Sequence, residues 1–199
     1  MKNKFSRKIK ADKDAFYMSC PEVVAEHIAN QLISFKTAVE LCSAVGMLTV
    51  QLAKAINKVY AVDISKKRTK QAQYNAKLYK VSRKTKFICG NVLDENLLNG
   101  IKAEVAILDP DWSKEKDKSI HVKSIDDTQP SLRTMFNLTK KYITKNMVSR
   151  IPKNFTFKTI KDLGPCKIEN IFWKNKLRFK IAYFFSNIKN NKEVNINFD

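Results

Sequence analysis

Apolar positions along this chain alternate between a helical period and short β-branched runs, and the switches outline its elements. "CPEVVAEHIANQLISF" places Val23, Val24, His27, Ile28 and Ile33 at helical spacing behind Pro21, a residue suited to a first helical turn. "TAVELC" reads as a strand, "SAVGMLTVQLAKAI" as a turn near Gly46 that runs into a helix, and "KVYAVDIS" as a second strand ending at Asp63. "SKKRTKQAQYNAKLYKV" predicts a long polar-faced helix with Ser65 as its N-cap. The alternation continues with a strand in "TKFICGNV", a short helical or irregular link in "LDENLLNGI" and a strand in "AEVAILD". "QPSLRTMFNLTKKY" then predicts a helix, "NMVSRIP" a fifth strand and "FTFKTIKDL" another helix. "CKIENIFW" and "KLRFKIAYFFS" alternate in polarity on either side of a two-residue link, the pattern of an antiparallel hairpin.

Strands alternating with helices at these lengths require crossover connections and a parallel sheet. The expected fold is α/β and Rossmann-like: a mostly parallel seven-stranded sheet with an antiparallel C-terminal hairpin and helices on both faces. That reversed final hairpin resembles class I methyltransferases and is unusual in other nucleotide-binding α/β domains. A chain of 199 residues can bury one sizeable core. The expected boundaries are a basic N-terminal lead over 1–15, a domain over 16–187 and a polar tail over 188–199 that frays.

Charge changes the picture more than size does. With 38 Lys and Arg against 19 Asp and Glu, the net charge is +19, an excess that favours polyanionic partners through counterion release. A Lys- and Asn-rich composition scattered over the surface would give the same total. The distribution argues for a concentrated patch, since Gln129 to Tyr183 holds thirteen basic residues and two acidic ones, Asp162 and Glu169. Cys20, Cys42, Cys89 and Cys166 form no C-x-x-C pair and read as reduced thiols, while His27 and His121 are too few for a zinc site or a histidine triad. His27 lies among apolar positions and reads as a core-edge residue. No apolar run reaches the roughly 18 residues of a membrane helix, and the amino terminus is no signal peptide, so a soluble intracellular protein is expected.

In open α/β sheets ligands lie beyond the carboxyl ends of the strands. That rule singles out Glu40 with the "CSAVG" turn and Gly46, then Asp63, Asn91 and Asp109. The turn before a helix offers free N–H groups, Asp63 suits ribose hydroxyls and Asn91 suits an adenine amine or ring nitrogen. A dinucleotide would account for Glu40 and Asp63 but not for "DPDW", Asp109-Pro110-Asp111-Trp112. An acceptor on a rigid turn can orient a conjugated exocyclic amine toward an electrophilic methyl group. Trp112 either stacks on the base or packs over the sheet edge. If it only stacks, its removal leaves stability nearly unchanged.

These segments together resemble the cap guanine-N2 methyltransferase family that includes trimethylguanosine synthase, over roughly Phe16 to Ser186. "FYMSCPEVVAEHIA", "VELCSAVGMLTVQLA", "VYAVDIS", "QYNAKLY", "FICGN", "LRTMFNLTKKYITKNMVSRIPKN" and "WKNKLRFKIAYF" carry the resemblance. It implies that Glu40, Gly46, Asp63, Asn91 and Asp109 hold S-adenosylmethionine, with Asp109, Pro110 and Trp112 as the catalytic set. Asp109 and Pro110 would orient the guanine amine and Trp112 would stack on 7-methylguanine. Lys114, Lys174, Lys176 and Arg178 are candidates for the cap phosphates. The family's Asp-Pro-Pro-Trp-Gly-Gly or Ser-Pro-Pro-Trp-Gly-Gly run is here Asp-Pro-Asp-Trp-Ser-Lys, and its glycine-rich loop keeps only Gly46. Asp111 could accept from the guanine edge, or loosen the turn and add repulsion near the phosphates.

The implied activity is S-adenosylmethionine-dependent transfer of methyl to the N2 amine of 7-methylguanosine RNA caps, with no metal. Capped RNA is the expected partner, no membrane is involved, and the protein acts as a monomer, in the nucleus if eukaryotic and otherwise in the cytoplasm. Two alternatives stand beside it: methylation of an exocyclic amine in rRNA or tRNA, and a catalytically eroded cap- or RNA-binding protein.

Overall fold

The β-branched runs form strands where their pattern places them. The computed structural model describes residues 4–114 and 117–198, with the side chains of 114 and 117–120 outside the described residues. Contacts divide the chain into two units, Met1–Val105 and Ala106–Asp199.

In the first unit the basic lead is not featureless. Lys13–Met18 forms helix α1, capped by Asp12, whose carboxylate accepts the Ala15 N–H at 2.8 Å. Lys4 is buried and its ammonium donates to the Phe16 and Tyr17 carbonyls at 2.6 and 2.8 Å. Helix α2, Glu22–Gln31, buries Val24, Ala25, Ile28 and Ala29. Val23 and Ile33, part of the same apolar period, are 41% and 67% exposed, so the stripe is narrower than the sequence implies. Strands β1 (Thr37–Leu41), β2 (Lys58–Asp63) and β3 (Thr85–Cys89) are parallel in the order β1-β2-β3. Helices α3 (Met47–Ala55) and α4 (Lys66–Leu78) are the crossovers, and Ser65 caps α4 as expected, accepting the Arg68 N–H at 3.3 Å. Helix α5 is the short Glu95–Asn99. β1 and β2 are almost wholly buried, which explains why they read as continuous apolar runs rather than as alternation.

The second unit contains β4 (Val105–Leu108) from its second residue on. The two-stranded β5 (Ser113–Lys114) and β6 (Asp117–His121) follow, then helix α6 (Leu132–Tyr142), β7 (Met147–Pro152), helix α7 (Phe157–Ile160), β8 (Lys167–Trp173), β9 (Lys176–Phe184) and β10 (Lys192–Phe198). The larger sheet here runs β10-β8-β9-β7-β4, with β4 and β7 parallel. β9 is antiparallel to both β7 and β8, the reversal expected of the hairpin. The link between β8 and β9 is Lys174-Asn175 with φ of 49° and 58°, the left-handed pair that a two-residue turn needs to match strand twist.

The tail corrects the expected fraying and the strand count. Lys192–Phe198 is an eighth strand parallel to β8, so seven becomes eight, apart from β5 and β6. Its backbone pairs with β8 over all seven residues, and polar side chains add to that ladder: Lys180 Nζ bonds Glu193 at 3.0 Å, and Asn170 Nδ2 donates to Asn195 at 2.9 Å. Among the described residues no helix is long and apolar enough to cross a membrane.

Candidate functional site

In the first unit, Glu40, Asp63 and Asn91 come from the carboxyl ends of three adjacent parallel strands. Glu40 is 2% exposed and its carboxylate takes the Thr49 hydroxyl, which anchors it beneath the first turns of α3. The chain between β1 and α3 makes the turn with few glycines. Cys42 and Ala44 adopt φ of 67° and 45°, and Gly46 follows at 74°. Left-handed backbone costs a side-chain-bearing residue about 1–2 kcal/mol, so the loop holds its shape under strain. Only Gly46 has a second reason to be glycine, since a Cβ there would lie 2.9 Å from the Ala72 Cβ on α4.

Two side chains hold that strained loop. The Asp63 carboxylate accepts the Ala44 N–H on one oxygen and the Ser65 N–H on the other, each at 2.8 Å. Asn75 on α4 donates to the Val45 carbonyl at 2.9 Å and pairs with the Lys10 backbone through both ends of its amide, at 2.8 and 2.9 Å. Asn75 holds the loop yet lies beyond the reach of the strand-end rule, because its side chain comes to the loop from a helix. The "QYNAKLY" motif was its only signal.

The residues present fit S-adenosylmethionine. The amino terminus of α3 has no side-chain cap and leaves its first N–H groups for a ligand. Asn91 is exposed and spends its side-chain oxygen on the Leu93 N–H at 2.9 Å, while its amide nitrogen has no partner among the described residues. That assignment favours a ring nitrogen over an amine as the group Asn91 would meet. Asp63 shapes the loop with one bond on each oxygen, and each oxygen keeps a second lone pair that could accept from a ribose hydroxyl. Asp63→Ala is expected to cost about 3 kcal/mol in denaturant unfolding by stranding two N–H groups, and to abolish S-adenosylhomocysteine binding in calorimetry. Ala44→Gly acts oppositely: relief of strain less the added chain entropy leaves about 0.5 kcal/mol of stabilisation, read as a small rise in Tm.

In the second unit, Asp109 directly follows β4, and the register Leu108↔Ser149 brings it level with Arg150 on β7. Arg150 donates from an Nη to Asp109 Oδ2 at 2.7 Å, with side chains 5% and 14% exposed respectively. Burial pushes the Asp109 carboxyl above the usual carboxylate range, Arg150 opposes that shift, and Asp111 adds to it. The other oxygen, Oδ1, accepts no hydrogen bond among the described residues.

Asp111 has a role that neither sequence expectation gave it. Its carboxylate accepts both the N–H of Ser113, at 2.9 Å, and the Ser113 hydroxyl, while its backbone pairs with Gln129 at 2.8 and 2.9 Å. The aspartate therefore tightens the turn, an Asx-type closure in place of the family's second proline. Trp112, between these anchors, is half-buried. Its ring meets His121 edge-on at 6.4 Å and Phe179 at 6.3 Å, and the Arg150 guanidinium lies over it at 5.0 Å. Trp112 is thus a packing residue that keeps part of its surface exposed.

Lys174, Lys176 and Arg178 are exposed at the end of the hairpin that carries Phe179, and none forms an ion pair among the described residues. The Lys114 side chain lies outside the described residues. Arg150 and Phe179 were not foreseen. The available signal for Arg150 is a charge within the apolar run "MVSRIP", every residue of which is buried.

Residues 35–194 match the model of the RNA cap guanine-N2 methyltransferase family. Over 175 residues the chain is also 27% identical to a release factor glutamine methyltransferase of Mycoplasma mycoides, a match that covers 80% of this chain and 60% of that relative. Among solved structures, a protein described as a methyltransferase from Porphyromonas gingivalis superimposes with a TM-score of 0.71 at 9% identity, over 88% of this chain and 43% of its own. One described as an RNA methyltransferase from Pyrococcus horikoshii gives 0.59 at 16% identity, over 89% of both chains. The chain thus has an α/β methyltransferase fold and spans about 60% of the curated relative's length. The model match covers most of its sequence, and the chain belongs to the RNA cap guanine-N2 methyltransferase family.

Proposed function

We propose that the chain transfers a methyl group from S-adenosylmethionine to the N2 amine of a 7-methylguanosine RNA cap. The observation that carries this reading is Asp109: one carboxylate oxygen is fixed by Arg150, the other accepts no hydrogen bond among the described residues, and a half-buried indole lies three residues on. The N2 amine is conjugated to its ring and nucleophilically weak, so the protein must orient it. Oδ1 would accept one of its hydrogens, and Pro110 would stiffen the turn that holds the acceptor. The sulfonium donor supplies an already activated methyl, so no metal or strong base is required.

The 7-methylated base is cationic, which suits both an indole and a turn bearing two carboxylates, Asp109 and Asp111, against one guanidinium. The exposed Lys174, Lys176 and Arg178 suit the phosphates that follow it. The glutamine methyltransferase relative favours a second reading. A glutamine amide nitrogen is also planar and delocalised, and Asp109 could orient it in the same way, though it would make no use of Trp112 or of the basic hairpin.

The test is transfer of labelled methyl from S-adenosylmethionine to 7-methylguanosine diphosphate, GTP, uncapped structured RNA and a release factor, each offered separately. Preference for 7-methylguanosine diphosphate over GTP and uncapped RNA supports the cap reading. Transfer only to the release factor replaces it with the glutamine reading. Donor binding without transfer to any capped substrate overturns it.

A further inference from the structure

β7 is a strand buried along its whole length, yet its fourth residue is an arginine. A buried guanidinium is expensive to desolvate, and persists where a partner and a defined geometry hold it. Here the one side chain touches three members of the amine site. It bonds Asp109 Oδ2 at 2.7 Å, and its guanidinium carbon lies 5.0 Å from the Trp112 ring centre and 4.8 Å from that of Phe179. The two rings are 6.3 Å apart and tilted by 33°.

We propose that Arg150 is the positioning residue of the amine site: it locks the Asp109 carboxylate through Oδ2, presents Oδ1 to the acceptor amine, and sets the Trp112–Phe179 wall beside it. What Oδ1 receives rests on the methyl-transfer reading above; the locking itself does not. A planar guanidinium suits this task better than an ammonium, because its donors lie in a fixed plane that can stack on rings while bonding a carboxylate. Arg150 has a second consequence through charge. Desolvation and Asp111 both favour the protonated form of Asp109, which accepts poorly, and Arg150 is the group that opposes them. The charged groups facing Asp109 among the described residues are Arg150 on β7 and Asp111 in its own turn; His121 on β6 meets Trp112.

The experiment follows the Asp109 carboxyl directly, by NMR titration of protein carrying carbon-13-labelled aspartate, with Asp109→Asn assigning the resonance. Wild type is compared with Arg150→Met, whose stem keeps the packing against both rings, and with Arg150→Lys. Thermal melting identifies the variants that fold. The midpoint is expected to rise by about 1–3 pH units in Arg150→Met and by less in Arg150→Lys. At pH 7, Arg150→Met is expected to lower kcat by at least about 10-fold, with donor KM unchanged, partial recovery at higher pH, and rescue by added guanidinium. An unshifted midpoint, or a loss that is uniform across pH, would make Arg150 a packing residue and overturn the proposal. If the midpoints shift while wild type methylates no base, the cap reading falls and the control of Asp109 by Arg150 stands.

Discussion

Asp109→Asn is expected to slow methyl transfer to the cap about 100- to 1000-fold while leaving S-adenosylhomocysteine binding intact, the scale seen when one preorganised polar contact to a reacting group is lost. The amide keeps the size of the side chain and one acceptor oxygen, but not the charge that polarises the amine. Asparagine is the informative replacement because alanine would leave Arg150 buried without its partner, at a cost of about 3–5 kcal/mol, and would confuse catalysis with folding. The pH dependence has a definite sign. On the proposed reading the ionised Asp109 is the stronger acceptor for the amine, and burial raises its pKa, so activity should rise with pH through a midpoint above the ordinary carboxylate value. Stability moves the other way. Between the unfolded and the raised folded pKa the native protein holds a proton that the unfolded chain has released, so Asp109 makes stability fall as pH rises across that window. Asp109→Asn removes that component of the slope. Equal kcat in the variant and the wild type would remove Asp109 from the chemistry.

The sequence makes the elements legible wherever local chemistry and tertiary demand agree. Ser65 before "KKRTKQ" is a cap both by type and in fact, and the Lys174-Asn175 link forms the turn its length requires. Agreement fails where a partner distant in sequence decides. β10 looks like a polar tail because its stabilising residues, Glu193 and Asn195, find Lys180 and Asn170 on other strands. Asp109 and Trp112 could be picked out because ligands gather at strand ends. Arg150 could not, since a charge in a strand is ordinarily read as surface, and only the Leu108↔Ser149 register brings it level with Asp109. The glycine-poor loop shows the same limit. Cys42 and Ala44 adopt the left-handed conformations anyway, held by Asp63 and Asn75 from elements further along the chain.

Trp112 separates recognition from folding, and here the sequence expectation of a removable platform needs revision. The indole packs with Phe179 and His121 and carries the Arg150 guanidinium over its ring, so Trp112→Ala should destabilise the protein by about 2 kcal/mol, less than full burial would give because the ring is half-buried. Truncation would also release the Arg150 side chain from one of its two rings and loosen its hold on Asp109. Loss of activity in Trp112→Ala therefore cannot by itself be assigned to base stacking. Trp112→Phe is the sharper change. Phenylalanine keeps an aromatic face for Arg150 and most of the packing, so less than about 1 kcal/mol of stability should be lost. It offers a smaller and less electron-rich surface to a cationic base, which is worth about 1 kcal/mol, or roughly fivefold in affinity for 7-methylguanosine diphosphate. Affinity for unmethylated GDP, which has no cationic ring, should change less. The checks are calorimetric titration with both nucleotides and thermal melting of each variant. A fall of the same size for both nucleotides would mean that Trp112 shapes the site without reading the charge of the base, and would move the source of cap preference to Asp109 and Asp111.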